Sequence, residues 1–139
     1  MKEIQEEVSA GGVLIRINNG IKEALVIKVR HYGYEVPKGH PEGIETLEEA
    51  ATRELCEETS LRNTPIIGIS LGDLDYTFTY DNKLIHKKVY YYSFTTKNEP
   101  IFGVKPLEVK ELRWINQDDL INLSLVNEKL RDIIKKSLI

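Results

Sequence analysis

Short β-branched segments dominate the first part of the chain. Val8–Ile17 and Ala24–Val29 are of this kind, and Asn18-Asn19-Gly20 lies between them. A turn-forming tripeptide between two such segments predicts a β-hairpin. Strand character then stops within Tyr34–His40, because this stretch contains a proline and a glycine, and we expect a loop there.

A helix is predicted at Thr46–Thr59, which is rich in helix-forming residues and contains neither glycine nor proline. Thr46 and Glu49 stand three positions apart at its start, the spacing of a capping box. The segments after the helix are again strand-like. We expect strands at Ile66–Leu71, Leu74–Tyr80, Leu84–Thr95 and Val109–Ile115, with turns at Asp81-Asn82 and Lys97–Pro100.

Two further helices are predicted near the end of the sequence. Asn116 is placed to cap a short helix at Gln117–Leu120. A longer helix follows, and its apolar face consists of Leu130, Ile133, Ile134 and Leu138. The order of strands and helices predicts an α/β fold with helices packed on a mixed β-sheet, and it does not determine the topology.

Composition limits the class of protein. The chain has 139 residues, 41% of them hydrophobic, with 19 basic and 22 acidic side chains and one cysteine. These values predict a single domain, residues 1–139, with its own core and no internal disulfide. The segment Met1–Glu7 is acidic and lacks the apolar core of a signal peptide, and no apolar run approaches the length of a membrane span. We therefore expect a soluble cytoplasmic protein with no membrane partner and no general nucleic-acid binding.

Three glutamates of the predicted helix form the most informative cluster. Glu54, Glu57 and Glu58 stand at positions i, i+3 and i+4, so their side chains share one side of the helix. Clustered glutamates usually form a solvated face, but here apolar residues fall on the same side of the helical wheel, namely Leu47, Ala50 and Ala51. Three carboxylates beside a buried face repel one another, so they need compensating cations or shifted pKa values. A hard divalent cation such as Mg²⁺ or Mn²⁺ fits oxygen ligands of this kind.

The same stretch resembles the Nudix box, Gly-x5-Glu-x7-Arg-Glu-U-x-Glu-Glu-x-Gly-U, where U is aliphatic. The matching residues are Gly39, Glu45, Arg53, Glu54, Leu55, Glu57, Glu58 and Leu61. Ser60 replaces the last glycine of the pattern, and Glu42-Gly43-Ile44-Glu45 replaces the usual Glu-Pro-Gly-Glu. Glycine favours the left-handed turn expected at Ser60, so serine there should cost about 1 kcal/mol or less.

This resemblance implies a Nudix α/β/α sandwich and a hydrolase of nucleoside diphosphates linked to another group. In this family, water attacks a phosphorus atom while metal ions bridge the phosphates. The resemblance further implies a role for each matching residue. The implied metal ligands are Glu54, Glu57, Glu58 and the carbonyl of Gly39. Glu108, six residues before Trp114, matches a glutamate at that spacing in the subgroup described next and is implied to complete the metal site. Glu54 is the first candidate for the general base and Glu108 the second, and Arg53 with Glu45 is implied to form a structural ion pair.

Other segments resemble the hydrolases that cleave diadenosine tetraphosphate asymmetrically. Pro37-Lys38-Gly39-His40 matches a run in that subgroup, and the spacing of Tyr80 and Lys87 matches its Tyr-x6-Lys-x-Val-x-Tyr pattern. By this resemblance Tyr80 stacks on adenine and Lys87 contacts phosphate. Lys38 is implied in substrate binding, and His40 either binds a phosphate or caps the loop.

Several alternatives share the same bond chemistry. A nucleoside triphosphate pyrophosphatase of the house-cleaning kind usually has Pro-Gly-Gly where this chain has Pro37-Lys38-Gly39. Diphosphoinositol phosphatases share Pro-Lys-Gly but are expected to have a more basic pocket, and ADP-ribose hydrolases tend to have alanine at Lys38. Hydrolysis at an RNA 5′ end remains open. A Nudix-fold regulator that binds a nucleotide without cleaving it typically loses carboxylates of the box, and this chain keeps them all.

Overall fold

The fold is built on one mixed β-sheet of seven strands, seen in a computed structural model that describes residues 3–139. The expectation about the start of the chain rests partly on Met1 and Lys2, which lie outside the described residues. The elements in chain order are β1 (Ile4–Asn18), β2 (Ile21–Arg30), β3 (Gly33–Glu35), β4 (Lys38–Gly39), α1 (Leu47–Thr59), β5 (Ile66–Tyr80), β6 (Lys83–Thr95), β7 (Glu111–Ile115), α2 (Gln117–Ile121) and α3 (Leu130–Leu138).

Strand β1 is the middle strand of the order in the sheet, and it pairs with three other strands. The order is β3-β2-β1-β6-β5, with β4 paired to β1 and β7 paired to β2. The pairing of β1 with β6 is parallel, from Ile4↔Leu84 to Leu14↔Phe94, and the remaining pairs are antiparallel. The end of β1 also forms the predicted hairpin with β2, which confirms that prediction.

The helix predictions are confirmed with small changes in their bounds. Thr46 caps α1 and forms the expected capping box with Glu49. Asn116 caps α2 in the same way, with Asp119 as its partner. The four apolar residues predicted on one face of α3 are all buried, at 6% exposure or less.

Two predictions about where strands begin and end are wrong, although Ile66–Leu71 and Leu74–Tyr80 are strand as expected. The segments Ile66–Leu71 and Leu74–Tyr80 form one continuous strand, β5, because Gly72 adopts a φ of +98° at a shift in register and lets the chain continue along β6. The expected loop at Tyr34–His40 instead contains β3 and β4, and Lys38 and Gly39 of β4 pair with β1. The carbonyl of Pro37 accepts a hydrogen bond from Gly12 N at 3.1 Å, so the proline sits beside β1 without needing an N–H of its own.

The core has one part on each face of the sheet. On one face α3 packs over β1, β2 and β5, with Val13, Tyr91 and Ile134 fully or almost fully buried. On the other face α1 packs over β1 and β6, with Leu14, Leu55 and Phe94 at 0% exposure. This arrangement of helix, sheet and helix confirms the expected α/β/α sandwich. Within residues 3–139, no helix has the length and apolar character needed to cross a membrane.

Candidate functional site

The glutamate cluster lies at the border between the buried side of α1 and solvent. Ala50, Ala51 and Leu55 are fully buried against the sheet. Next to them the side chain of Glu54 is only 15% exposed, whereas that of Glu57, at the outer edge, is 57% exposed. The acidic residues therefore flank the packed face of the helix, which is the arrangement that the helical wheel predicts.

Arg53 connects the loop before α1 to the glutamate cluster. Its guanidinium binds Glu45 through two hydrogen bonds, Nε to Oε2 at 2.8 Å and Nη2 to Oε1 at 3.0 Å. Nη2 also donates to the carbonyl of His40 at 2.9 Å, and Nη1 donates to Glu54 at 2.9 Å and Glu57 at 3.1 Å. The hydrogen bonds from Arg53 hold the pKa of Glu45 below its usual value. The structure thus contains the ion pair that the resemblance implies for Arg53 and Glu45.

Glu58 is the carboxylate most affected by its surroundings. Burial, followed by repulsion from Glu54, raises its pKa from 4.5 to about 8. The backbone N of Lys38 donates to its Oε1 at 3.4 Å, a long hydrogen bond that offsets only part of this cost. Gly39 lies next to the carboxylate of Glu54, and a Cβ at position 39 would collide with that carboxylate. A side chain at position 39 would therefore displace Glu54.

The carboxylates border a common cavity. Its volume is about 310 Å³, and it is lined by Val29, Glu35, Glu54, Glu57, Glu58, Glu108 and Val109. Glu108 comes from the segment just before β7, far from α1 in sequence. The structure thus brings four of the sequence-predicted acidic residues to one cavity and adds Glu35, which sequence reasoning missed.

The donor set of this cavity fits a hard divalent cation, since carboxylate oxygens are the ligands that Mg²⁺ and Mn²⁺ prefer. In the part of the chain that the structure describes, no group of three or more aspartate, glutamate, histidine or cysteine side chains is arranged to coordinate a metal ion. Glu54 and Glu57 are turned toward Nη1 of Arg53 instead. Both side chains contact Arg53 and at the same time line the cavity.

Ser60 adopts the left-handed conformation expected at this departure from the Nudix box, with φ 60° and ψ 30°. Its hydroxyl donates to the carbonyl of Val104 at 2.6 Å, and its own carbonyl accepts from Gly103 N at 2.8 Å. These two bonds attach the end of α1 to the segment that leads to Glu108. Serine thus adds a contact that glycine would lack.

A second cavity of about 410 Å³ adjoins the first. Its lining combines cationic, aromatic and aliphatic side chains: Arg30, Tyr32, Glu35, Lys38, Leu74, Tyr76, Phe78, Lys87, Tyr91, Val126, Asn127 and Leu130. Lys38 and Lys87, both predicted to bind substrate, meet here. Burial and the nearby charge of Lys38 lower the pKa of Lys87. This cavity offers cations for phosphates together with aromatic surface for a base.

Two of the predicted substrate-binding residues lie outside both cavity linings. Tyr80 stands at the end of β5 and is 69% exposed, whereas Tyr76 pairs directly with Lys87 across the strands and lines the second cavity. His40 is exposed, and its Nδ1 donates to the carbonyl of Val8 at 3.0 Å. Sequence reasoning missed Tyr76 and Phe78, although the two-residue alternation of a strand places them on the same face as Tyr80.

Comparison with known proteins identifies the family. The model of the NUDIX domain matches residues 6–136. The chain belongs to the Nudix family. It is 35% identical over 116 residues to the putative mutator protein MutT4 of Mycobacterium tuberculosis (strain CDC 1551 / Oshkosh), an alignment that covers 78% of this chain and 46% of that protein. The chain therefore spans about half the length of this curated relative.

Solved structures of other Nudix proteins share the fold. The Ap4A hydrolase of C. elegans has a TM-score of 0.67 at 19% identity, with 95% of this chain and 96% of that chain covered. The NUDIX domain of Shewanella oneidensis NrtR, crystallised with ADP ribose, has a TM-score of 0.68 at 16% identity, with coverage of 97% and 90%. The MutT protein of Methanosarcina mazei Go1 gives 0.62 at 19% identity, with coverage of 98% and 94%. At these identities the likeness establishes the fold alone.

Proposed function

We propose that this protein is a metal-dependent hydrolase of dinucleoside polyphosphates, and that it cleaves diadenosine tetraphosphate to ATP and AMP. One observation carries the proposal. The cavity that contains Glu54, Glu57, Glu58 and Glu108 adjoins a second cavity that contains Lys38, Lys87 and aromatic side chains. A polyphosphate chain joined to a nucleoside matches both halves, since the phosphates need cations and the base needs an apolar surface.

The chain's own residues divide the chemistry among them. Glu54, Glu57, Glu58 and Glu108, with the carbonyl of Gly39, would hold Mg²⁺ or Mn²⁺. A cation held by these residues would lower the pKa of water and neutralise phosphate charge. Glu54 accepts the proton of the attacking water, with Glu108 as the second candidate for this role.

Cationic side chains orient the substrate. Lys38 and Lys87 line the larger cavity, where their ammonium groups can bind the phosphate chain. Arg53 supports the site without lining either cavity. It holds the loop before α1 through its hydrogen bonds to Glu45, and its Nη1 donates to the carboxylates of Glu54 and Glu57 at 2.9 and 3.1 Å. Its role is to position the carboxylates and not to contact substrate.

The choice of a dinucleoside substrate rests on the resemblance of Pro37-Lys38-Gly39-His40 to the asymmetrically cleaving subgroup, together with the position of Lys38 in the cavity. A Nudix protein named as an Ap4A hydrolase also shares the fold. The relative at 35% identity is named a putative mutator protein. A nucleoside triphosphate pyrophosphatase is the second candidate, since it shares the same bond chemistry.

A substrate panel with Mg²⁺ and chromatographic resolution of products tests the proposal. The panel contains diadenosine tetraphosphate, nucleoside triphosphates, ADP-ribose, diphosphoinositol phosphates and RNA with a capped or triphosphorylated 5′ end. We expect ATP and AMP in equal amounts from diadenosine tetraphosphate, with ¹⁸O from labelled water found in AMP. Glu57→Gln is the control with strongly reduced activity. Asp73→Asn, which changes an exposed acidic residue on β5, is the matched control that keeps activity.

Each other result points to a different conclusion. Two equivalents of ADP would contradict the asymmetric register. Rapid release of pyrophosphate from nucleoside triphosphates, without turnover of diadenosine tetraphosphate, would favour the second candidate. Binding of nucleotides without turnover of any member of the panel would indicate a regulator and overturn the enzymatic proposal.

A further inference from the structure

Glu35 occupies the boundary between the two cavities. It is the only residue that lines both, as far as the described residues show. It lies at the end of β3, is half-buried, and pairs with Ile27 of β2, which fixes its backbone in the sheet. A side chain at this position faces whatever part of a ligand passes from one cavity to the other.

The carboxylate of Glu35 is available to a ligand. Its cationic neighbour Arg30 donates to the hydroxyl of Tyr32 at 3.1 Å and does not bind Glu35. Tyr76 and Tyr91 also lie near its charge, and within the described part of the chain neither donates a hydrogen bond to it. A carboxylate that is partly withdrawn from water and lacks a protein donor gains from a ligand that supplies one.

The chemistry on each side of Glu35 indicates which part of the ligand it meets. On the side of the larger cavity, the ring centroids of Tyr76 and Phe78 lie 5.9 Å apart with an interplanar angle of 30°. Val126 and Leu130 line this cavity as well. This surface suits a base. On the other side are the carboxylates that suit a cation-bound phosphate. In a nucleotide, the group between base and phosphate is the sugar.

Building on the proposed function, we infer that Glu35 determines sugar specificity by accepting hydrogen bonds from the ribose hydroxyls of the nucleoside in the larger cavity. A carboxylate has two acceptor oxygens, and the 2′- and 3′-hydroxyls are adjacent donors that it can bind together. Loss of the 2′-hydroxyl leaves the partly buried carboxylate without one donor. The protein should therefore prefer ribonucleotides to 2′-deoxyribonucleotides.

The test compares matched sugars. With Mg²⁺, kcat/KM is measured for diadenosine tetraphosphate and for its bis(2′-deoxyadenosine) analogue, and the affinities of AMP and 2′-deoxy-AMP are measured by calorimetric titration. In the wild type we expect a ribose preference of about tenfold, the size of one hydrogen bond to a charged group. Glu35→Ala should reduce the preference to about twofold or less, and Glu35→Gln, whose amide oxygen still accepts a neutral hydrogen bond, should give an intermediate value. Asp73→Asn serves as the control and should keep the wild-type ratio.

The outcomes separate this inference from the proposed function. Equal use of both sugars by the wild type, or an unchanged ratio in Glu35→Ala, would overturn the role of Glu35 while leaving the hydrolase intact. A raised requirement for Mg²⁺ in Glu35→Gln with an unchanged sugar ratio would assign Glu35 to the cation site instead, and would also overturn the inference. If the wild type cleaves none of these nucleotides, the proposed function fails. The affinities of AMP and 2′-deoxy-AMP for the wild type and Glu35→Ala still decide whether Glu35 binds the ribose hydroxyls.

Discussion

Glu58 makes the stability of the metal-free protein depend on pH in an unusual direction. Its folded-state pKa is raised from 4.5 to about 8, chiefly by burial and then by Glu54. Between these values the folded protein keeps a proton on Glu58 that the unfolded chain has released. The free energy of unfolding therefore falls as the pH rises through this window, because the folded state binds more protons than the unfolded state.

The size of this effect follows from the two pKa values. At 1.36 kcal/mol per pKa unit, the full difference corresponds to an upper limit of about 5 kcal/mol. Lys38 and the water in the open cavity stabilise the ionised form, so we expect about 1–2 kcal/mol to be measurable. Glu58→Gln replaces the carboxyl by a neutral group of the same shape and should remove this pH dependence.

Urea unfolding provides the assay, with Trp114, the single tryptophan of the chain, as the fluorescent probe. In EDTA, the stability difference between Glu58→Gln and the wild type should shift toward the variant by about 1–2 kcal/mol between about pH 5.5 and about pH 8. Asp73→Asn should show no such shift. A difference that stays constant with pH would refute the assignment of a raised pKa to Glu58.

Divalent cations should reverse the loss of stability. At about pH 8 the wild type should gain about 2.7 kcal/mol when Mg²⁺ is present at about 100 times its dissociation constant. Glu58→Gln should gain clearly less, since it lacks one of the charges that hold the cation. An equal gain in both proteins would place the bound cation away from Glu58.

Three further predictions concern catalysis. Glu57→Gln should lower kcat by a factor of about 100 or more with an unchanged urea midpoint, because it removes charge that the cation needs; activity within tenfold of the wild type would contradict this. Lys87→Ala should reduce kcat/KM on polyphosphates by about tenfold or more, the loss of one charged hydrogen bond, whereas Lys83→Ala, on the exposed start of the same strand, should change it little. Tyr76→Ala should raise KM for adenine nucleotides more than Tyr80→Ala; the reverse order would support the sequence pattern over the cavity.

The parts of the site that lie close together in sequence are the parts that the sequence predicts well. Glu54, Glu57 and Glu58 belong to one helix, so its 3.6-residue period already places them together. The capping box and the turn at Ser60 are equally local, and both appear as expected. Glu108 was found only through the family resemblance, because its proximity to α1 depends on the path of the chain after β6.

The lining of the larger cavity depends on strand register, which spacing along the sequence does not give. Tyr80 and Lys87 stand at a recognisable spacing, but in the structure Tyr80 pairs with Lys83, and Lys87 pairs with Tyr76. The turn at Asp81-Asn82, which the sequence does predict, decides this register: both residues have a positive φ, and counting outward from a two-residue turn pairs 80 with 83 and 76 with 87. The turn between β5 and β6 therefore predicts that Tyr76 pairs with Lys87, whereas the Tyr-x6-Lys spacing does not.

Ser60 shows why one departure from the box pattern leaves the fold unchanged. Its left-handed backbone costs about 1 kcal/mol relative to glycine. Its hydroxyl gains a hydrogen bond to the carbonyl of Val104, which contributes about 1 kcal/mol in return. Since the two contributions nearly cancel, the substitution has little net effect on stability. The effect of the serine is local. Its side chain bonds the end of α1, the helix with Glu57 and Glu58, to the segment that leads to Glu108. In this chain a side chain that the box pattern lacks, the hydroxyl of Ser60, bonds the end of one carboxylate-bearing segment to the other.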